Sequence, residues 1–152
     1  MYFWRIEKLK AEMVARPLSE REALSYLIVS TALTAVTAFI PATMNNIWDV
    51  LGAAWGVLLG VMGTLYIYRR NGGAAGQHFL QRYFAVGWVV SLRWLVVIVL
   101  VAVGFFATLA ALEIEAETTT WYVFLFVAVA EVVVYWRIGH HVGDLASRTK
   151  AV

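Results

Sequence analysis

The sequence predicts an all-α membrane protein: a bundle of four transmembrane helices preceded by an amphipathic helix at the membrane interface. Three observations predict this fold class. First, 62% of the 152 residues are hydrophobic and only 14% are charged, whereas soluble domains have about 25% charged residues. Second, four apolar segments are each long enough to cross a bilayer. Third, the basic residues cluster on one side of these segments. A soluble fold this short could not bury so much apolar surface, so lipid must cover it.

The four predicted spans cover residues 23–43, 47–68, 80–112 and 121–138. Apolar runs this long, without alternation or internal turn signals, favour helices over membrane strands. The longest connection is the short stretch RRNGGAAGQH, which leaves no room for a separate soluble domain. The sequence therefore predicts an interfacial helix at 1–18, one membrane domain at 19–145 and a cytoplasmic tail at 146–152.

Lysine and arginine residues indicate how the spans are oriented. Eleven of the 12 basic residues lie on one side: nine outside the spans, and Arg82 and Arg137 at the ends of the third and fourth spans on that side. The other side has acidic residues alone: Asp49 near the first connection and Glu113, Glu115 and Glu117 in the third. Because short cytoplasmic loops are enriched in basic residues, both termini are expected in the cytoplasm. We expect a multi-pass protein of a bacterial inner membrane.

The amino-terminal segment is typical of an amphipathic helix that lies in the membrane interface. Its polar lead is too long for a cleaved signal peptide. Anchoring in lipid is the favoured role and docking on a partner is the alternative. The predicted anchor residues are Tyr2, Phe3, Trp4, Ile6 and Leu9. Pro17 should end this helix, and Ser19 with Glu22 matches a capping box that starts the first span.

Two ionisable residues, Arg93 and Glu131, fall inside predicted spans. A charge at the bilayer centre costs at least about 2.5–3.5 kcal/mol on insertion scales, so such residues usually pair or line water. Counting along the helices predicts that the two side chains can meet. We therefore predict an Arg93–Glu131 ion pair, with Tyr135 as a hydrogen-bond partner one turn below Glu131. The pair would fix helix register or form part of an ion or proton path; alternatively, Glu131 faces another subunit.

Small and hydroxyl side chains mark two further helix faces. Ser30, Thr34 and Thr37 share one face of the first span. Such hydroxyls usually bond their own backbone or a neighbouring helix, and lining a polar pore is the alternative. The second span carries a glycine face, which consists of Gly52, Gly56, Gly60 and Gly63. This spacing indicates close helix packing, against the same chain or a second subunit, and we expect a homo-oligomer through this span.

Motifs for catalysis or cofactor binding are missing from the sequence. It has no cysteine, which excludes disulfides and thiolate metal sites. His78, His140 and His141 fall near the inner interface, but adjacent histidines on a helix do not chelate one ion, so we expect no metal or cofactor. The loop NGGAAG lacks the full phosphate-loop pattern and is interpreted as a flexible turn. Topology explains the basic residues, so no nucleic-acid binding is expected. Enzyme activity is not expected either, because no catalytic motif is found.

Two classes of function are compatible with the sequence. The slightly favoured one is a small oligomeric ion or proton channel, or transport-related bundle, that uses the Arg93–Glu131 pair. The alternative is a non-transporting scaffold or accessory subunit of a larger membrane complex. The scaffold requires only the packing features and the interfacial helix, whereas the channel requires a polar path through or between subunits.

Overall fold

The computed structural model describes residues 2, 4–38, 46–113 and 120–150, apart from the side chains of residues 33–38 and 150. In this part of the chain the structure consists of five α-helices and one short 3₁₀ turn at Gly73–Ala75. The α-helices are α1 (Ile6–Ala15), α2 (Glu20–Ala38), α3 (Ile47–Arg70), α4 (Phe79–Ala111) and α5 (Trp121–Lys150). The all-helical prediction is therefore confirmed for the described residues.

Three of these helices, α3, α4 and α5, are long and apolar enough to cross a membrane. The first predicted span corresponds to α2, which begins with the charged residues Glu20, Arg21 and Glu22. The apolar continuation of that span, up to residue 43, lies outside the described residues. A helical membrane protein is thus supported, while the count of four spans and the location of the termini stay predictions.

The helices α4 and α5 are longer than a membrane requires. With 33 and 30 residues, they extend about 50 Å and about 45 Å at 1.5 Å per residue. The hydrocarbon layer is only about 30 Å thick. The sequence predicted that the fourth span ends at 138 and that a tail starts at 146, but α5 continues to Lys150. Both helices must therefore project well beyond the hydrocarbon layer.

Local capping explains where α2 and α3 begin. The Ser19 N–H donates to Glu22 Oε2 at 2.8 Å, and the Glu22 N–H donates to Ser19 Oγ at 3.4 Å, which confirms the predicted capping box. A second capping box starts α3, where Asn46 accepts from the backbone N–H of Asp49 at 3.1 Å. Each box pairs backbone donors that a helix start would otherwise leave unpaired.

The helix α5 lies between α3 and α4, and it packs against both. Gly63 of α3 faces Tyr135 of α5, and Gly139 of α5 faces Tyr66 of α3. Because residue numbers rise together along this contact, α3 and α5 run in the same direction. The helix α4 runs antiparallel to α5, as the contacts of Gly87 with Ile138 and of Phe105 with Phe126 together require. The helix α2 packs on α4, and α1 crosses the ends of α4 and α5.

The buried core is concentrated at one end of the molecule, which we call the packed end. It is formed by α1 and by the adjoining parts of α3, α4 and α5. Its fully buried apolar residues are Leu9, Ile67, Ala85, Val86, Val89, Val142 and Leu145. The remaining parts of the long helices, residues 47–58, 95–111 and 121–136, form the open half. There, apolar side chains such as Val57 and Leu100 are mostly exposed, as expected for a surface that faces lipid.

Candidate functional site

The glycine face of α3 is divided between the two regions. A methyl group on Gly63 would overlap Cδ1 of the Tyr135 ring, and one on Gly60 would lie 3.9 Å from the Tyr135 hydroxyl. The Tyr135 ring therefore fills the space that glycine leaves. Among the described residues, no atom lies within 4 Å of such a methyl group on Gly52 or Gly56. One end of the face packs within the chain, and no described residue covers the other end.

Two further contacts extend this interface into the packed end. The Tyr66 ring occupies the place where a Gly139 side chain would be, and the Arg70 guanidinium covers Gly143 in the same way, 2.9 Å from the position of a methyl group there. Sequence reasoning missed this pair of glycines, although their four-residue spacing was a signal of the same kind as that on α3. Glycines on α5 thus accept side chains from α3, and a glycine on α3 accepts one from α5.

Glu131 lies on α5 within the open half, one turn from Tyr135. It is partly buried, and the Trp55 side chain of α3 lies next to its carboxylate. The Trp55 indole N–H is buried and forms no hydrogen bond with any described residue. A carboxylate beside an indole N–H can accept a hydrogen bond or bind a proton. General acid–base catalysis would also require a reacting group within hydrogen-bond reach.

Arg93 contacts the amino-terminal segment and not Glu131. Its Nη2 donates to the Trp4 carbonyl oxygen, and its Cζ lies 5.6 Å from the centroid of the Trp4 ring. None of the ion pairs in the described part of the chain joins Arg93 to Glu131. The predicted pair is therefore not formed in this structure. Because α1 packs on α4 and α5, Trp4, which precedes α1, lies against the arginine instead.

The height of Arg93 along α4 removes the need for an acidic partner. From Arg93 to Ala111 the helix rises about 27 Å, which is close to the full hydrocarbon thickness. Arg137 has a matching position on α5, about 24 Å from Trp121, and its Cζ lies 5.9 Å from the Trp94 ring centroid. Two arginines surrounded by tryptophans are typical of a membrane boundary. A membrane boundary at this level coincides with the division between the open half and the packed end.

A mainly apolar cavity of about 300 Å³ lies between α2, α4 and α5. Hydroxyl groups on its walls come from Ser30, Tyr83, Ser91 and Tyr135. Ser30 belongs to the predicted polar face, whereas the side chains of Thr34 and Thr37 lie outside the described residues. The Tyr83 hydroxyl is also 3.4 Å from Thr64 Oγ1 on α3. The remaining wall residues are mostly apolar: Phe84, Gly87, Trp88, Val134 and Ile138.

The predicted anchor residues divide between two environments. Ile6 and Leu9 are 3% and 0% exposed and belong to the core. The lipid-anchor expectation is therefore corrected for these two residues, since α1 docks on α4 and α5 of its own chain. Trp4 is half exposed, and the Tyr2 N–H donates to the Tyr26 hydroxyl at 2.8 Å. Phe3 lies outside the described residues.

A cluster of charges fastens α1 to α5 at the packed end, and we call it the Lys10 cluster. Lys10 is only 2% exposed, and its Nζ lies 2.6 Å from Glu7 and 2.7 Å from Asp144. Arg148 completes the cluster, at 2.9 Å from Asp144 and 3.4 Å from Glu7. The hydrogen bond from Lys10 holds the pKa of Glu7 below its usual value of 4.5. The sequence did not reveal this cluster, because Asp144 is isolated in the chain.

The histidines do not converge on a metal-binding geometry. The rings of His140 and His141 are 5.7 Å apart and steeply inclined, and His78 is exposed at the start of α4. Over the residues that the structure describes, no three histidine, aspartate or glutamate side chains are grouped closely enough to hold a metal ion.

Comparisons with protein-family models, with characterised proteins and with solved structures find no match for this chain. Function must therefore be inferred from the geometry of the chain itself.

Proposed function

We propose that this protein is a non-enzymatic scaffold or accessory subunit of the membrane, which associates with a second copy of itself through α3. The observation that carries the proposal is the divided glycine face. Gly60 and Gly63 pack on Tyr135, whereas no described residue lies within 4 Å of a methyl group on Gly56, which is next to the exposed Val57. Lipid chains provide little driving force between helices, so uncovered small residues in a membrane favour close helix association.

Ion or proton transport is a second candidate, and Glu131 is the observation that favours it. An acidic residue inside a membrane span commonly marks an ion or proton pathway, and the hydroxyl-lined cavity begins one turn away. Against this candidate, the walls of the cavity are mostly apolar, and Val86 and Val89 at the same level of α4 are completely buried. Mostly apolar walls give water no favourable polar path, so conduction would have to run between subunits. We therefore favour the scaffold.

The mass of the protein–detergent complex tests self-association. The Gly56→Leu variant should lower the detergent-corrected mass to that of a monomer, because leucine prevents close backbone approach at the uncovered face. The matched control is Gly104→Leu, since Gly104 on α4 also has nothing within 4 Å but lacks the repeated spacing. A monomeric wild-type protein would overturn self-association, and an oligomer that survives in Gly56→Leu would exclude this face.

Flux measurements in proteoliposomes separate the scaffold from a transporter. With purified protein and an imposed proton or potassium gradient, we expect the same leak as in empty vesicles. A proton flux that the Glu131→Gln variant abolishes would contradict the scaffold and support transport. The corresponding control is Glu20→Gln, which removes an exposed carboxylate from the start of α2.

We further propose that the packed end lies in the cytoplasm of a bacterial inner membrane, because basic residues are concentrated there. The natural sequence has no cysteine, so single cysteines report topology cleanly. A membrane-impermeant thiol reagent should label Leu112→Cys in intact spheroplasts and should label Ser147→Cys only after lysis. The reverse pattern would invert the orientation.

A further inference from the structure

Arg82 is a buried cation without an acidic partner. It lies in the first turn of α4 and is 3% exposed. Its Nη1 donates to Asn71 Oδ1 at 3.0 Å, and its Nη2 donates to Thr149 Oγ1 at 2.9 Å. Both acceptors are neutral, and among the described residues no ion pair includes Arg82. Its charge is therefore not compensated by any described residue.

The Lys10 cluster provides a comparison for Arg82, because it contains a buried cation that is paired with carboxylates. Lys10 is equally buried, at 2% exposed, but two carboxylates contact its ammonium group. Removing a charge from water is unfavourable unless it is paired and hydrogen-bonded. A guanidinium carries five N–H donors, and the hydrogen bonds of Arg82 in the described structure occupy two of them. Unused donors and an unpaired charge thus coincide at one residue.

A cavity of about 190 Å³ adjoins the Arg82 side chain. Its polar wall residues are Asn71, Gln77 and Thr149, and the rest of the wall is small: Ala75, Gly76 and Ala146. A single water needs only about 10–15 Å³ of such space, so the cavity can hold a group of several heavy atoms. None of the described residues that line it is acidic. Its electrostatic preference is therefore for an anion.

The turn between α3 and α4 is built around Asn71, which is 1% exposed. The Asn71 Nδ2 donates to the Gln77 carbonyl at 3.2 Å, which directs its side-chain oxygen towards Arg82. A methyl group on Gly76 would overlap the Asn71 carbonyl oxygen, and Gly72 has a φ of 105°. Both positions thus favour glycine. The loop expected to be a flexible turn is a hydrogen-bonded wall of the cavity.

We propose that this cavity binds a phosphate-type oxyanion, with the Arg82 guanidinium as the charged donor. The planar fork of a guanidinium matches two oxygens of a phosphate group, and Thr149 and Gln77 add neutral polar groups around it. Arg82 lies about 16 Å along α4 from Arg93, beyond the few ångströms that headgroups add to each side of the hydrocarbon layer. At this distance from the membrane, a phosphate group on a soluble molecule reaches the cavity more readily than a lipid headgroup does. The proposal is independent of self-association and of transport.

Thermal unfolding of the full chain in a maltoside detergent, which contains no phosphate, tests this site. Sodium phosphate should raise Tm in a saturable manner relative to sodium chloride at equal ionic strength. The Arg82→Gln variant should lose this rise. The matched control is Arg69→Gln, which removes an exposed cation next to the same turn and should keep it. A separate titration with phosphatidylglycerol distinguishes the two sources of phosphate, since a rise with that lipid alone identifies a headgroup site.

Two further variants keep the test decisive if Arg82→Gln does not fold. Arg82→Lys retains the charge but loses the fork, and it should weaken apparent phosphate affinity by roughly tenfold or more, a factor typical of a lost charge-assisted hydrogen bond. Thr149→Val leaves the arginine intact and should weaken phosphate binding to a smaller extent. The proposal is overturned if neither phosphate nor phosphatidylglycerol raises Tm, or if the folded Arg82 variants respond as the wild type does.

Discussion

The packed end and the open half use the same residue types in opposite environments. At the packed end, Val86 and Val89 of α4 are completely buried, whereas Val99 and Val103 of the same helix are more than half exposed. Helix propensity cannot distinguish these positions, since all four are valines in one continuous helix. The difference lies in what surrounds the helix: protein at one end and lipid at the other.

The comparison also shows what small residues do in each region. Within and next to the packed end, a glycine is matched by a large side chain from the facing helix, as Gly63 is by Tyr135 and Gly139 is by Tyr66. In the open half, no described atom lies within 4 Å of a methyl group placed on Gly56 or Gly104. A glycine in a membrane helix thus permits close packing, and the facing partner decides whether that packing forms. The structure identifies that partner for half of the α3 face.

The largest effect should come from shortening a core side chain at the packed end. Leu9 is 0% exposed, and Leu9→Ala should lower the free energy of unfolding by about 2–5 kcal/mol, as is typical when a buried leucine is truncated. Leu100→Ala is the matched control, because Leu100 is 68% exposed on α4 and loses little contact. Denaturant titration in detergent measures both variants. Equal losses would contradict the division into two regions.

Much of the fold could be predicted because its signals are local. Length and hydropathy identify α3, α4 and α5 directly, since a long apolar run has few alternatives in lipid. The Ser19–Glu22 capping box depends on residues only three positions apart, and the structure confirms it. These features require no knowledge of how the helices are arranged.

The candidate site could not be predicted in the same way, because it depends on how helices rotate and fold back. Counting residues estimated the height of Arg93, but it could not reveal that Trp4 would reach the same level. The prediction also assumed that the membrane boundary lay near Arg82. The contacts of Arg93 with Trp4 and of Arg137 with Trp94 instead favour a boundary at the level of Arg93. These contacts depend on how the helices are arranged, which the sequence alone does not reveal.

A single added methyl group should separate the two halves of the glycine face. Gly63→Ala forces the Tyr135 ring to move and should destabilise the protein by about 1–3 kcal/mol, the range typical of overpacking. Gly56→Ala adds the same methyl group where nothing lies within 4 Å, so the monomer should be unaffected. Thermal unfolding in detergent compares the two. A silent Gly63→Ala would mean that α3 and α5 are not in this close contact.

Acid should weaken the attachment of α1 to a modest extent. The pKa of Glu7 is lowered in the folded protein by its hydrogen bond to Lys10, so its contribution is present above the usual value of 4.5 and is lost as pH falls through the lowered pKa. Glu7 is 64% exposed, which limits the effect to below about 1 kcal/mol. Between about pH 6 and pH 3.5, wild-type Tm should fall more steeply than that of Glu7→Gln. If Tm changes with pH in the same way in both proteins, Glu7 does not help to attach α1.

The smallest expected effect is the coupling between Arg93 and Glu131. If Arg93 is held by Trp4, and Glu131 lies beside Trp55, the two side chains share no partner. The free-energy changes of Arg93→Gln and Glu131→Gln should then add to within about 0.3–0.5 kcal/mol in the double variant. An ion pair across the membrane boundary would instead give a coupling well above this limit, and a charge-swapped variant would regain stability. Such a result would show that Arg93 lies inside the membrane and not at its boundary, and that Glu131 compensates its charge.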